Sequence, residues 1–187
     1  MIYTLPKTVE IGDREYSVGW DYRAILDIFA VLNDPDFNDM ERTLATLSIF
    51  YPSFEASENP MPYDHYGEAI KKCLWFINAG QSEDTKKQPK LIDWEQDFNY
   101  IIAPVNRIIG QDIRGLESLH WWTFLSAFYE IGDCTFAQIV RIRDMKARGK
   151  RLDKSDAEWY RRNREIVDIK TRYSQSEDEL LKAWGGE

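Results

Sequence analysis

Five times along this chain a residue able to cap a helix stands three positions ahead of a Glu or Gln: Asn38/Glu41, Asp93/Gln96, Thr135/Gln138, Ser155/Glu158 and Ser176/Glu179. In such a box the first side chain accepts the backbone N–H three residues on, and the second side chain reaches back to the cap's own N–H. A chain that starts helices this often, with apolar residues recurring at helical spacing after each start, buries its stripes by packing helix on helix. The pattern predicts a mainly α fold: a multi-helix domain of about seven or eight helices with an N-terminal β-hairpin. Residues 1–173 are expected to form a single helical domain with that hairpin, and residues 174–187 a short C-terminal helix or tail.

The hairpin is read from "TVEIGDREYSV", where Val9 and Ile11 precede Gly12-Asp13 and Tyr16 and Val18 follow. Gly at the first loop position suits a two-residue type II′ turn, and that register sets Val9 opposite Tyr16 and Glu10 opposite Glu15. Asp21 then caps a helix with Tyr22, Ile25, Leu26, Phe29 and Leu32 on one face, ending before Asp34-Pro35. A second helix runs from Asn38 to about Tyr51, where Pro52 stops it. A third carries Tyr66, Ile70, Cys73, Leu74 and Ile77 on one side and finishes at Gly80. Residues 81–90, "QSEDTKKQPK", have no apolar member and read as a mobile linker. The fourth helix spans Asp93 to Gly110, with a kink or break expected near Ala103 because Pro104 lacks a donor and crowds the carbonyl of Tyr100. Further helices are expected from Glu117 to Ile131, from Thr135 to Gly149, from Ser155 to Tyr173, and from Ser176 to Gly185-Gly186.

With 187 residues, 43% hydrophobic and 30% charged, the chain is of globular composition and large enough for a core without staples. No N-terminal basic and apolar signal pattern and no run of about 20 apolar residues is present, so it reads as neither secreted nor membrane-embedded. Cys73 and Cys134, without a CxxC, read as reduced and buried thiols of a cytosolic protein. The net charge of −8 is uneven. Residues 1–140 carry 11 Lys+Arg against 22 Asp+Glu, whereas residues 141–172 carry 12 against 6. That basic stretch is the sole support for a nucleic-acid reading, and it has no aromatic-basic stacking motif or groove-reading module beside it. A solvated helix face complementing an acidic body or partner is the simpler account.

Candidate chemistry is sparse. "LESLHWWTF" sets His120 among Leu116, Trp121, Trp122 and Phe124 in a helix that is apolar almost all round, so the ring is expected to bond a backbone carbonyl or a carboxylate inside a packed helix. His65, Cys73, His120 and Cys134 lack the paired local spacing of a zinc site. Asp93 and Asp97, one turn apart in "DWEQDF", have the spacing of an acid pair or a cation site. Acidic residues in a first helical turn nevertheless satisfy free N–H groups without any active site. No Gly-rich phosphate loop, nucleophile elbow or H-E-x-x-H helix occurs, and the reading is of no enzyme, no catalytic residue, no metal and no cofactor.

From Asp93 to Lys170 the segments "DWEQDFNYIIAPVNRIIG", "LHWWTFLSAFYEIGDCTF", "IVRIRDMKARGKRLDK" and "EWYRRNREIVDIK" resemble the bacteriophage gene-product-fifteen family of tail gene clusters in long-tailed phages and prophages of Gram-positive bacteria. "LPKTVEIGDREYSVGWDYRAIL" and "LWFINAG" are similar to it too, so the resemblance covers most of the chain, and "LHWWTF" is its most specific piece. The resemblance implies a tail assembly chaperone. Such a protein binds the tape-measure protein, acts in the host bacterial cytoplasm and is absent from the finished virion. It further implies, as partners to look for, a frameshifted longer form of the chain itself and the tail tube protein. No catalytic residue comes with the family. Its rival is a nucleic-acid-binding protein using residues 141–172.

One surface is predicted for a partner. Trp159, Ile166 and Tyr173 recur every seven residues, with Ile169 between the latter two, along a basic helix. This narrow coiled-coil-like seam is expected to face either a homo-oligomer or the tape measure, the alternative being a helix packed back on its own core.

Overall fold

In a computed structural model of the chain, which describes residues 4–55, 59–81 and 88–183, the hairpin forms where the alternation of side chains puts it. Strands β1 (Thr8–Ile11) and β2 (Arg14–Ser17) pair antiparallel, Val9 opposite Tyr16 and Glu10 opposite Glu15. Gly12 takes a φ of +59° and Asp13 has no positive φ, the pattern of a type II′ turn. Two strands alone are marginal. Here His65 supports them: its Nδ1 lies 2.9 Å from the Tyr16 hydroxyl, and a Cβ on Gly12 would stand 3.3 Å from its Nε2.

The described residues hold nine α-helices: α1 (Tyr22–Asn33), α2 (Asp39–Phe50), α3 (Tyr66–Ile77), α4 (Trp94–Ile109), α5 (Trp121–Tyr129), α6 (Thr135–Ala147), α7 (Lys154–Arg162), α8 (Arg164–Val167) and α9 (Gln175–Ala183). The fold is thus mainly α with an N-terminal hairpin, 59% helical. Of the expected linker, residues 82–87 lie outside the described residues, as do Gly185 and Gly186.

The chain groups into two compact units. One comprises Met1–Glu83, His120–Trp122 and Thr171–Glu187, the other Asp84–Leu119 and Thr123–Lys170. In the first, α1 packs on α2 and α2 on α3, around Ile11, Ile25, Ile28, Leu47, Phe50 and Phe76. Gly19 is needed here by close approach: its N–H donates to the Phe50 carbonyl at 2.7 Å, and a Cβ would meet the Ile49 carbonyl oxygen at 3.0 Å. In the second unit α6 packs on α4 and α8, burying Ile101, Val105, Ile139, Ile142 and Val167. Each fully buried side chain of this kind contributes about 1.5–3 kcal/mol.

Several expectations are corrected. Leu32 and Leu74 stand 40% and 38% exposed, and Ile28 and Phe76 take the buried positions on α1 and α3. The fourth helix does not break at Pro104 but runs unbroken to Gly110, which caps it at φ +85°. Burial of Ile101, Ile102 and Val105 outweighs a proline penalty of about 3 kcal/mol. The fifth helix begins four residues later than expected, at Trp121 rather than Glu117. The seventh does not reach Tyr173. Asn163 ends it, donating from Nδ2 to the Trp159 carbonyl at 2.9 Å, so α7 and the one-turn α8 replace a continuous helix. Its cap is Asp153, which accepts from the Asp156 N–H at 2.8 Å, not Ser155. Likewise the last helix is capped by Ser174, whose N–H donates to the Glu177 carboxylate at 2.8 Å, not by Ser176.

Candidate interaction site

His120 does not lie within a helix. It sits just ahead of α5 in an isolated antiparallel bridge with Asp21, and its ring completes the helix start by accepting the Trp122 N–H at Nδ1, 3.0 Å away. That acceptor role fixes the proton on Nε2, which donates to the Pro6 carbonyl at 2.8 Å. The ring stacks on Trp20, with centroids 5.8 Å apart and planes at 11°, and leans on Phe76. Burial lowers its pKa below the ordinary imidazole value, outweighing the opposite pull of the Pro6 hydrogen bond. The indoles beside it are anchors too: Trp121 Nε1 donates to the Ile77 carbonyl and Trp122 Nε1 to the Phe76 carbonyl, each at 2.8 Å. His120 is a neutral structural ring, bonded to a carbonyl as expected.

The two aspartates of "DWEQDF" divide their roles. Asp93 caps α4, accepting from the Gln96 N–H at 3.1 Å, and pairs with Lys90 at 3.0 Å. Asp97 is fully buried, and the residue that explains it lies 46 positions away. Arg143 grips both its oxygens, at 2.5 Å and 2.9 Å, and donates to the carbonyls of Leu91, Ile166 and Val167. With the Asp93 N–H at 2.9 Å, three protein donors hold this carboxylate, which makes it a structural anchor between α4 and α6. Among the described residues no group of three or more His, Cys, Asp or Glu side chains is placed to hold a metal ion. Cys73 is buried and its thiol is pushed up to about 12 by burial, whereas Cys134, expected to be buried, is only half-buried.

The basic stretch is largely neutralised within the second unit. Arg141 pairs with Asp156, Arg143 with Asp97, Lys146 and Arg164 with Asp168, Arg148 with Asp144, and Arg162 with Glu158. At least six of its twelve cations are therefore engaged by carboxylates. The predicted seam is divided. Trp159 and Ile166 are partly buried against Ile139, Ile142 and Val167, Ile169 lies beyond the end of α8, and Tyr173 is 51% exposed in a non-helical segment.

An open apolar surface lies elsewhere, in the first unit. A cavity of about 290 Å³ is lined by Leu32 of α1, by Arg42 and Thr46 of α2, and by Ile70, Leu74 and Ile77 of α3. A second of about 730 Å³ adjoins it, sharing Asp39, Thr43 and Ile70 and adding Met40, Tyr63 and Tyr66. Of the nine exposed large hydrophobic residues described, Leu32, Met40, Tyr63 and Leu74 line this one groove. Sequence reasoning missed it by assigning Leu32 and Leu74 to the core. The available signal was a surplus: α1 and α3 each carry more apolar positions than one buried stripe needs.

Compared with known proteins, residues 1–169 match the family model described as Bacteriophage Gp15 protein. Nothing matches among curated proteins or solved structures.

Proposed function

The chain belongs to the Bacteriophage Gp15 protein family, and from that membership we propose that it is a tail assembly chaperone that binds the tape-measure protein and keeps it soluble while the tail is built. The observation that carries the reading is the groove of the first unit, where four exposed apolar side chains meet in one concave surface. A tape measure is a long helical chain whose apolar stripes need cover until the tube encloses them, and an apolar groove is the form of site that takes such a stripe. The role needs surface and no nucleophile. On this reading the protein works in the host cytoplasm and leaves before the virion is complete.

Co-expression with the protein encoded immediately downstream tests it. The long protein is expected in the soluble fraction, and co-purifying with this chain, only when the two are made together. Equal solubility of the long protein alone would overturn the proposal. The complex should also survive high salt, which would weaken a nucleic-acid complex steeply.

A further inference from the structure

The groove of the first unit carries two unsatisfied polar atoms. Thr46 is 4% exposed and lines the smaller cavity, yet its Oγ1 has no hydrogen-bond partner, and neither has the buried Nε of Arg42 on the same wall. The rest of the Arg42 guanidinium is engaged, Nη2 donating to the Asp34 carbonyl at 2.7 Å and Nη1 to the Asp39 carboxylate at 3.3 Å. A buried polar atom left unpaired costs about 1–3 kcal/mol, so a partner that seats on this wall and shifts its side chains enough to reach the two atoms gains what the free chain lacks. A free donor at Arg42 Nε calls for an acceptor. The hydroxyl of Thr46 takes either role.

We infer that this groove is the docking site for an amphipathic helix flanked by Lys and Arg, whose apolar stripe covers Leu32, Ile70 and Leu74 and whose backbone carbonyls or amide side chains satisfy Arg42 Nε and Thr46 Oγ1. Two observations select that occupant. The lining positions on α3 run from Tyr66 to Ile77. At 1.5 Å per residue that is about 17 Å, three turns of a partner helix. Second, the groove's own charged lining is mixed, Asp39 paired with Arg42 and Lys71 nearby, but the residues of the first unit carry 8 Lys+Arg against 18 Asp+Glu, a net −10, so positive flanks that reach past the groove complement the acidic body around it. The inference rests on the chaperone reading for its natural client, but its chemistry can be tested without that client.

Three peptides of about 18 residues, five helical turns, serve as probes. One has a leucine stripe at i, i+3, i+4 and i+7 spacing with lysine flanks, one the same stripe with glutamate flanks, and one the lysines with the stripe scrambled. Fluorescence anisotropy with the full chain is expected to show binding of the first, at least about tenfold weaker binding of the second, and none of the third. Leu74→Lys and Tyr63→Ala, both at exposed positions, should each weaken the first peptide by about tenfold without lowering the melting temperature. Thr46→Val, isosteric and freed of its orphan hydroxyl, should melt no lower than the parent yet bind about fivefold more weakly.

Equal binding of lysine- and glutamate-flanked peptides, or unchanged affinity in Leu74→Lys and Thr46→Val, would overturn the assignment. So would wild-type self-association that Leu74→Lys abolishes, which would make a second copy the occupant. Co-expression separates this from the chaperone reading. If both the parent and Leu74→Lys keep the tape measure soluble, the groove is wrong and the chaperone stands. If the parent binds the peptide through Leu74 and Thr46 but leaves the tape measure insoluble, the chaperone reading fails and the groove stands.

Discussion

In the first unit the buried polar centre is a neutral ring, His120, held between the Pro6 carbonyl and the Trp122 N–H. In the second it is a full ion pair, Asp97 with Arg143, both at most 6% exposed. Both centres fasten segments distant in sequence, yet they do so under different electrostatic terms. The imidazole gives up little hydration and needs only one donor and one acceptor to be satisfied. The ion pair gives up much more, and it persists because Arg143 has five bonds to make and finds every partner within reach. A neutral hub is cheap to bury and conditional on pH. An ionic hub is costly to bury and intolerant of losing either half.

The largest expected effect follows from that intolerance. Asp97→Ala strands a buried guanidinium and should cost about 3–5 kcal/mol, read as a shift of the urea midpoint. Buried ion pairs can often be replaced by apolar residues at no loss, and here that rescue should fail. Without Arg143 the carbonyls of Leu91 and Val167 lose its N–H groups as donors, and among the described residues that of Ile166 keeps only Gln96 Nε2 at 3.5 Å. The double variant Asp97→Leu with Arg143→Leu is therefore expected to remain at least about 2 kcal/mol below the parent. Parent-like stability in the double variant would show that the three carbonyls find water and that the comparison between hubs is less sharp than drawn.

A smaller effect concerns Trp159 and Ile166, which pack on Ile139, Ile142 and Val167 beside the ionic hub. Ile166→Asp with Ile169→Asp should destabilise the chain by about 2 kcal/mol, because a carboxylate at the partly buried 166 position meets an apolar cluster. Loss of assembly with an unchanged melt would instead return the seam to the surface role that its seven-residue spacing suggested.

What was legible in the sequence, and what was not, sorts by the range of the interaction. Asn38 with Glu41, the Asp93 cap on the Gln96 N–H, and Gly12 in its turn were readable because each acts within three residues of itself, whereas the Gln96 side chain reaches Asp168 and Lys170 and the Asp93 N–H goes to Asp97. The caps at Asp153 and Ser174 were misplaced by two residues because a second acceptor stood nearby, Ser155 and Ser176, and local chemistry alone does not choose between neighbours. Asp97 looked like a helix-turn carboxylate because its partner is on another helix. Leu32 and Leu74 fit a core stripe as well as Ile28 and Phe76 do, and only packing assigns one set to the interior and leaves the other on the groove. The candidate site was therefore the least legible part of the molecule: it consists of what the core did not take.

The smallest effect tests the neutral hub. Burial favours the uncharged ring of His120, so its pKa in the folded chain lies below its value in the unfolded chain. Between those two values the unfolded state binds the additional proton, and stability therefore rises with pH through that window. The contribution is complete above the ordinary imidazole value of about 6.5 and is lost as the pH falls below it. Protonation would also place a second N–H on Nδ1, facing the Trp122 N–H that this atom now accepts. His120→Gln, which can still donate to Pro6, should cost about 1 kcal/mol at neutral pH and remove the added fall in stability toward acid. Asp97 and Arg143 serve as the internal contrast, since a variant at the ionic hub should leave the imidazole's pH dependence in place. Chemical denaturation of the parent and of His120→Gln at matched pH values, compared as a difference, isolates this one ring. A difference that stays constant from pH 8 to pH 5 would mean that His120 is as readily protonated folded as unfolded, and the account of the first unit's hub as a pH-conditional one would fall.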